Sequence, residues 1–122
     1  MPQTFTSDEA LRLWQTALVD LVRAQRPDLS MRQMAILTTV YTTAPPHTVR
    51  GLARRLNIAK PAVTRALDRL CRLELALRQR DDRDRRNVLV QRTVTGQIYL
   101  RELAALITDA AVKSRPETLD AA

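Results

Sequence analysis

"VRGLARRLNIAKPAVTRALDRL", residues 49–70, decides the fold. Two segments with helical apolar spacing sit either side of a short break. Leu52, Ala53 and Leu56 give the first an inward face. Val63, Ala66, Leu67 and Leu70 give the second one within about 100° of arc, at 3.6 residues per turn. "NIAK" (57–60) between them reads as a tight turn. Thr48 is placed to cap the first helix. Pro61 suits the first turn of the second, where its missing N–H costs nothing. The outer arc of that second helix, which runs to about Leu73, carries Pro61, Thr64, Arg65, Asp68, Arg69 and Arg72. Two helices so joined have helix-turn-helix spacing.

Working outward, "RQRDDRDRRNVLVQRT" (78–93) packs six arginines and three aspartates into a segment that ends in apolar alternation. It predicts two short strands, near 75–79 and 87–92, flanking a charged tip. Upstream, a first helix starts at Ser7 as N-cap, with Asp8 and Glu9 in its first turn. Leu11, Trp14, Leu18, Leu21 and Val22 share one of its faces, and Pro27 ends it. Ser30 with Gln33 forms a capping box for a second helix, striped by Met34, Leu37, Val40 and Tyr41. "TAPPHT" (43–48) is a loop by its proline pair. Downstream, Thr93 or Thr95 caps a last helix that runs to about Val112, and 113–122 reads as a frayed tail. The expected fold is mainly α with a small β-hairpin, in winged helix-turn-helix order. It is read as a single winged-helix domain over 1–122.

Composition narrows the function. The chain has 122 residues, enough for one domain to bury about two thirds of its unfolded surface. The lone cysteine, Cys71, precludes an internal disulfide and fits a reducing compartment. No cationic start leads into an apolar run, and no run nears the roughly 20 apolar residues of a membrane helix. A cytoplasmic protein without membrane contact is expected. Residues 50–92 hold 13 Arg or Lys against 5 Asp or Glu, a net +8, and the rest of the chain nets −1. Charge added for solubility would be spread; this charge is concentrated, as for a polyanionic partner such as double-stranded DNA.

Major-groove readers project from the N-terminal half of a recognition helix. Here those are Lys60, Pro61, Ala62, Thr64 and Arg65, with Arg69 and Arg72 further along and better placed for phosphates. At the hairpin tip, Asp84 can pair with the Arg86 guanidinium and set its direction. Arg86 is then the residue to enter a minor groove, with Arg83 and Arg85 on phosphates or as its alternates. The competing readings are an ordinary amphipathic helix with a solvated face and a solvated turn. A winged helix can also use this surface to bind an acidic protein partner, but such a face would carry exposed apolar or aromatic residues. None lie on this arc.

These residues carry a family resemblance. Over about residues 30–110 the chain resembles the DNA-binding lobe of the MarR family of bacterial transcriptional regulators. The resemblance rests on Leu52 and Ala53, on the helix from Val63 to Leu70, on the Asp84-x-Arg86 wing, and on the step from Thr93 to Gly96. It implies a homodimer on a palindromic operator, often released by a small anionic aromatic effector or by oxidation. Glu74 stands where the family usually has glycine, so the turn into the hairpin is expected to be altered or strained. Arg92 replaces a usual apolar anchor. Family members usually continue into a further long C-terminal helix, and little follows Val112.

The end helices, 7–25 and 95–112, are the expected dimer lobe. Leu11, Trp14 and Leu18 on the first, and Tyr99, Leu103, Leu106 and Ile107 on the last, make apolar faces wider than one core stripe needs. A Trp14 in the core and end helices that merely cover each other are the simpler alternatives. No enzyme is expected. His47 is the lone histidine, only Gly51 and Gly96 are glycines, and no metal-ligand or phosphate-loop pattern occurs. No cofactor or metal is implied. Cys71 is read as a small buried hydrophobe before a redox sensor.

Overall fold

The computed structural model describes residues 4–115. Among them are α1 (Ser7–Arg23), α2 (Met31–Thr42), β1 (His47–Thr48), α3 (Val49–Leu56), α4 (Lys60–Arg72), β2 (Ala76–Arg80), β3 (Val88–Arg92) and α5 (Val94–Lys113). They form two compact units. One is Leu29–Leu100; the other combines residues up to Asp28 with those from Arg101 onward. The tail expected over 113–122 lies, from residue 116, outside the described residues.

Local chemistry starts the helices of the larger unit. Ser30 Oγ accepts from the Gln33 amide and the Gln33 side chain accepts from the Ser30 amide, a complete capping box on α2. Thr48 Oγ1 accepts from the Gly51 amide at 2.9 Å and caps α3. Asn57, at φ 55°, ends α3 in the left-handed region that asparagine tolerates, and the chain re-enters helix at Lys60 and Pro61. The core is Ile36, Leu37 and Val40 of α2, Leu52 and Ala53 of α3, Val63, Ala66, Leu67 and Leu70 of α4, and Leu75, Ala76, Val90 and Tyr99. Every inward residue read from the α4 pattern is buried. Cys71 is partly buried and packs against this cluster.

The sheet has three antiparallel strands in the order β1-β3-β2, one more than the expected hairpin. His47 pairs with Val90 and Thr48 with Leu89, so the end of the proline loop is a strand. A strand of two residues has no periodicity to betray it. Ala76, Arg78 and Arg80 of β2 face Arg92, Val90 and Val88 of β3.

Of the two outcomes expected for the turn from α4 into β2, the structure shows the strained one. Glu74 has φ 62°, a region that favours glycine. It is tied down by Thr93 Oγ1, which donates to the Glu74 carbonyl at 2.7 Å. Tyr41 Oη fastens the same place: it donates to the Leu75 carbonyl and accepts from the Thr93 amide, each at 2.8 Å. Thr93, not Thr95, caps α5, accepting from the Gly96 amide at 2.9 Å. Arg92 replaces apolar packing by polar capping. Its Nε and Nη2 donate to the Val40 and Thr43 carbonyls at the end of α2, at 2.8 and 2.9 Å, and its guanidinium lies over the Tyr41 ring.

In the smaller unit α1 begins one residue earlier than its first acidic turn suggested. Thr6, not Ser7, is the N-cap, because it places Glu9 at N3, where the carboxylate can accept from the Thr6 amide. Arg26 pairs with Glu102, and Lys113 pairs with Asp20 at 2.7 Å and Asp109 at 3.2 Å. Only Ala17 of α1 is buried. Trp14 is half exposed, which removes the reading of it as a core residue.

Candidate nucleic-acid interface

The α4 surface follows its polar arc. Lys60, Pro61, Thr64 and Arg65 are exposed, Ala62 is half-buried, and Arg69 is half-buried further down the helix. Pro61, Thr64, Arg65 and Asp68 follow i, i+3, i+4, i+7 spacing, so they form one stripe along the helix. The bulk of the helix below is clamped by Val63, Leu67 and Leu70, each fully buried. A surface on so fixed a base is pre-positioned, which limits the ordering cost of any binding there.

The wing tip is a chain of local hydrogen bonds. The Asp84 carboxylate accepts from the Arg86 amide, its Nε and its Nη2, at 3.1, 3.0 and 3.1 Å. The expected orienting pair therefore exists, and Arg86 still projects outward with 78% of its side chain exposed. Hydrogen bonds from the Arg86 side chain, and then from its backbone, hold the Asp84 carboxyl below its ordinary range, with a smaller attraction from Arg50 of α3. The same pair raises the Arg86 guanidinium above its usual value. Asp81 Oδ1 accepts from the Arg83 amide at 2.9 Å, and Arg80 Nη1 donates to the Arg85 carbonyl at 2.6 Å. Arg83 and Arg85 are exposed. The aspartates thus shape the tip and leave its arginine heads outward.

Sequence reasoning missed two features. Exposed Arg50, Arg54 and Arg55 of α3 add to the basic surface; their place in the +8 segment was the available signal. Asp68 on the α4 stripe pairs with Arg78 of β2 at 2.8 Å, a tertiary contact with no local signature.

The residues expected at a dimer face divide by burial. Leu11, Trp14, Leu18 and Ile107 are exposed and Leu106 is intermediate. Tyr99 belongs to the core of the larger unit, and Leu103 is also buried. A cleft of about 380 Å³ lies elsewhere, lined by Val40, the Pro45–Pro46 pair, His47, and Leu89 to Arg92 of β3. No described helix is long and apolar enough to cross a membrane. Among the described residues no group of three or more His, Cys, Asp or Glu is placed to hold a metal ion.

Two helices joined by a tight turn, followed by an antiparallel wing, define a winged helix-turn-helix protein. Residues 29–88 match the model of the MarR family. The chain belongs to the MarR family and is a winged-helix, DNA-binding transcriptional regulator. Solved structures agree in fold. The transcriptional regulator BldR from Sulfolobus solfataricus is 26% identical, over 96% of this chain and 91% of its own, with a TM-score of 0.62. The transcriptional regulator Tm0710 from Thermotoga maritima is 21% identical, over 85% and 70%, at 0.69. CouR, a transcriptional repressor bound to a 23-mer DNA duplex, is 24% identical, over 90% and 75%, at 0.71. No curated protein sequence matches the chain.

Proposed function

We propose that the protein is a cytoplasmic repressor that binds a palindromic operator as a homodimer and catalyses no reaction. One observation carries this: the Asp84–Arg86 pair presents an outward arginine at the tip of a wing that follows an α4 stripe of Lys60, Thr64 and Arg65. Lys60, Pro61, Ala62, Thr64 and Arg65 meet the major groove. Arg86 enters the flanking minor groove, where a narrow, negative channel favours arginine. Arg69, Arg83 and Arg85 contact phosphates. The two α4 helices of a dimer then lie about 34–36 Å apart, one turn of DNA.

Uncovered apolar surface supports the dimer. Leu11, Trp14, Leu18 and Val22 lie exposed along one stripe of α1, and Ile107 and Val112 of α5 are exposed as well. CouR, of the same fold, is a DNA-bound repressor. A small-molecule effector that releases the operator completes the scheme.

The test is binding to random-sequence duplex across a salt series, with Arg86→Ala and Lys60→Ala/Arg65→Ala beside the wild type. Wild-type affinity should fall steeply with salt, the Arg86 and Lys60/Arg65 variants should bind more weakly, and Arg69→Ala, which removes a phosphate contact, should reduce the slope by about one unit. Absence of binding at low salt would refute the reading and make the basic segment a candidate site for an acidic protein.

A further inference from the structure

Asp68 is out of place on its helix. It sits on the stripe with the proposed readers Pro61, Thr64 and Arg65, one turn beyond the last two of them, and Arg69 and Arg72 complete the polar arc. A lone carboxylate on a surface that approaches phosphates repels them. Its partner is not another helix residue. Arg78 Nη2 reaches it at 2.8 Å from strand β2.

The register says where that arginine comes from. Arg78 pairs with Val90, and residues directly opposite on neighbouring strands share a face. Val90 is buried, and so is Ala76, two residues before Arg78 on the same face. Arg78 therefore leaves the inner face of the wing toward α4. Two residues further along that face is Arg80, whose Nη1 donates to the Arg85 carbonyl in the tip. One edge strand thus connects the end of the reading stripe, through Asp68 and Arg78, to the loop that carries Arg86.

We infer that Asp68 and Arg78 are positioning residues for sequence recognition: their ion pair braces the wing against α4 and fixes where Arg86 lands relative to Lys60, Thr64 and Arg65. This rests on the DNA-binding reading above. The pair is a poor source of stability, since both side chains are partly exposed, at 43% for Asp68 and 31% for Arg78. Its value lies in geometry. Recognition by a helix in one groove and an arginine in the next requires both at once, and a wing free to swing loses the second when the first is seated.

The sign of one mutation separates this from simple charge repulsion. Asp68→Asn removes a negative charge, so electrostatics alone predicts tighter binding to every duplex. Bracing predicts the opposite on a specific site. The wild type would first select a duplex from a random pool. Asp68→Asn, Arg78→Gln and the exchange Asp68→Arg/Arg78→Asp would then be titrated against that duplex and against random sequence, with melting temperatures measured in parallel. We expect each single variant to lose roughly tenfold on the selected duplex, comparable to one mismatched base pair. Asp68→Asn should hold or gain affinity for random sequence, and melting should stay close to wild type. The exchange, with the net charge of wild type, should recover most of the selected-site affinity. Equal tightening of Asp68→Asn on both duplexes would overturn the brace. So would a loss in Asp68→Asn that Arg78→Gln does not share, which would make Asp68 a base reader. A wild type that selects no duplex would instead sink the DNA-binding reading itself.

Discussion

Gly96→Ala tests the joint on which the wing and α5 both depend. Gly96 lies in the first turn of α5, and a Cβ built there would sit 2.0 Å from Tyr41 Oη, 2.7 Å from Tyr41 Cζ and 2.4 Å from the Leu75 carbonyl oxygen. Neither obstacle can step aside cheaply. The Tyr41 hydroxyl is held by the Leu75 carbonyl and the Thr93 amide, and the Leu75 oxygen is backbone next to the left-handed Glu74. Forcing in one methyl costs about 1–3 kcal/mol in overpacking. Displacing a part-buried hydroxyl from its partners adds about 1–3 kcal/mol. Alanine returns about 0.5–1 kcal/mol of helix propensity. The net loss is about 1–5 kcal/mol, and at about 4 °C per kcal/mol the melting temperature should fall by roughly 4–20 °C. Circular dichroism at matched protein concentration would measure it. Tyr41→Phe removes the nearest oxygen but leaves the Leu75 carbonyl, so Gly96→Ala should remain destabilising in that background. A variant that melts within about 2 °C of wild type would refute the close-approach argument.

Two further outcomes follow from the caps and the wing. Thr48→Ala removes the side chain that accepts from the Gly51 amide, and should cost about 1 kcal/mol, read as a drop of roughly 4 °C in thermal melting. For Asp84, pairing with Arg86 lowers the folded carboxyl below its unfolded value of about 3.9. The pair's contribution is thus fully present above that value and is lost only as pH falls through the lower, folded one. Carboxyl carbon NMR should give Asp84 a midpoint below that of an aspartate in an unfolded peptide, moving upward in Arg86→Ala; a midpoint at or above the peptide value would contradict the pairing.

What the sequence discloses follows the range of the interaction that decides it. Ser30 with Gln33, and Thr48 before its helix, are caps three residues long, and both stand as read. At the chain start Thr6 and Ser7 are both good caps, and the choice lies in which one puts Glu9 at N3. Glu74 in place of glycine pointed to an unusual turn, but the Thr93 and Tyr41 bonds that hold it come from 19 and more residues away. The broad apolar face of α5 was plain, yet its pattern could not separate Tyr99, which joins a core, from Ile107, which stays exposed.

The charged tip and the charged stripe show the same division. Asp84 and Arg86 are two residues apart, so spacing alone nearly prescribes their pairing, and the structure contains it. Asp68 and Arg78 are ten apart on different elements. In sequence the first was one more solvated helix residue and the second one more cation in a basic run. Only the β2–β3 register turns Arg78 inward and gives Asp68 a partner. Net charge of +8 accounts for attraction to any polyanion. Discrimination among sequences needs distances between readers to be fixed, and those distances are set by contacts of the Asp68–Arg78 kind, which carry almost no charge of their own once paired.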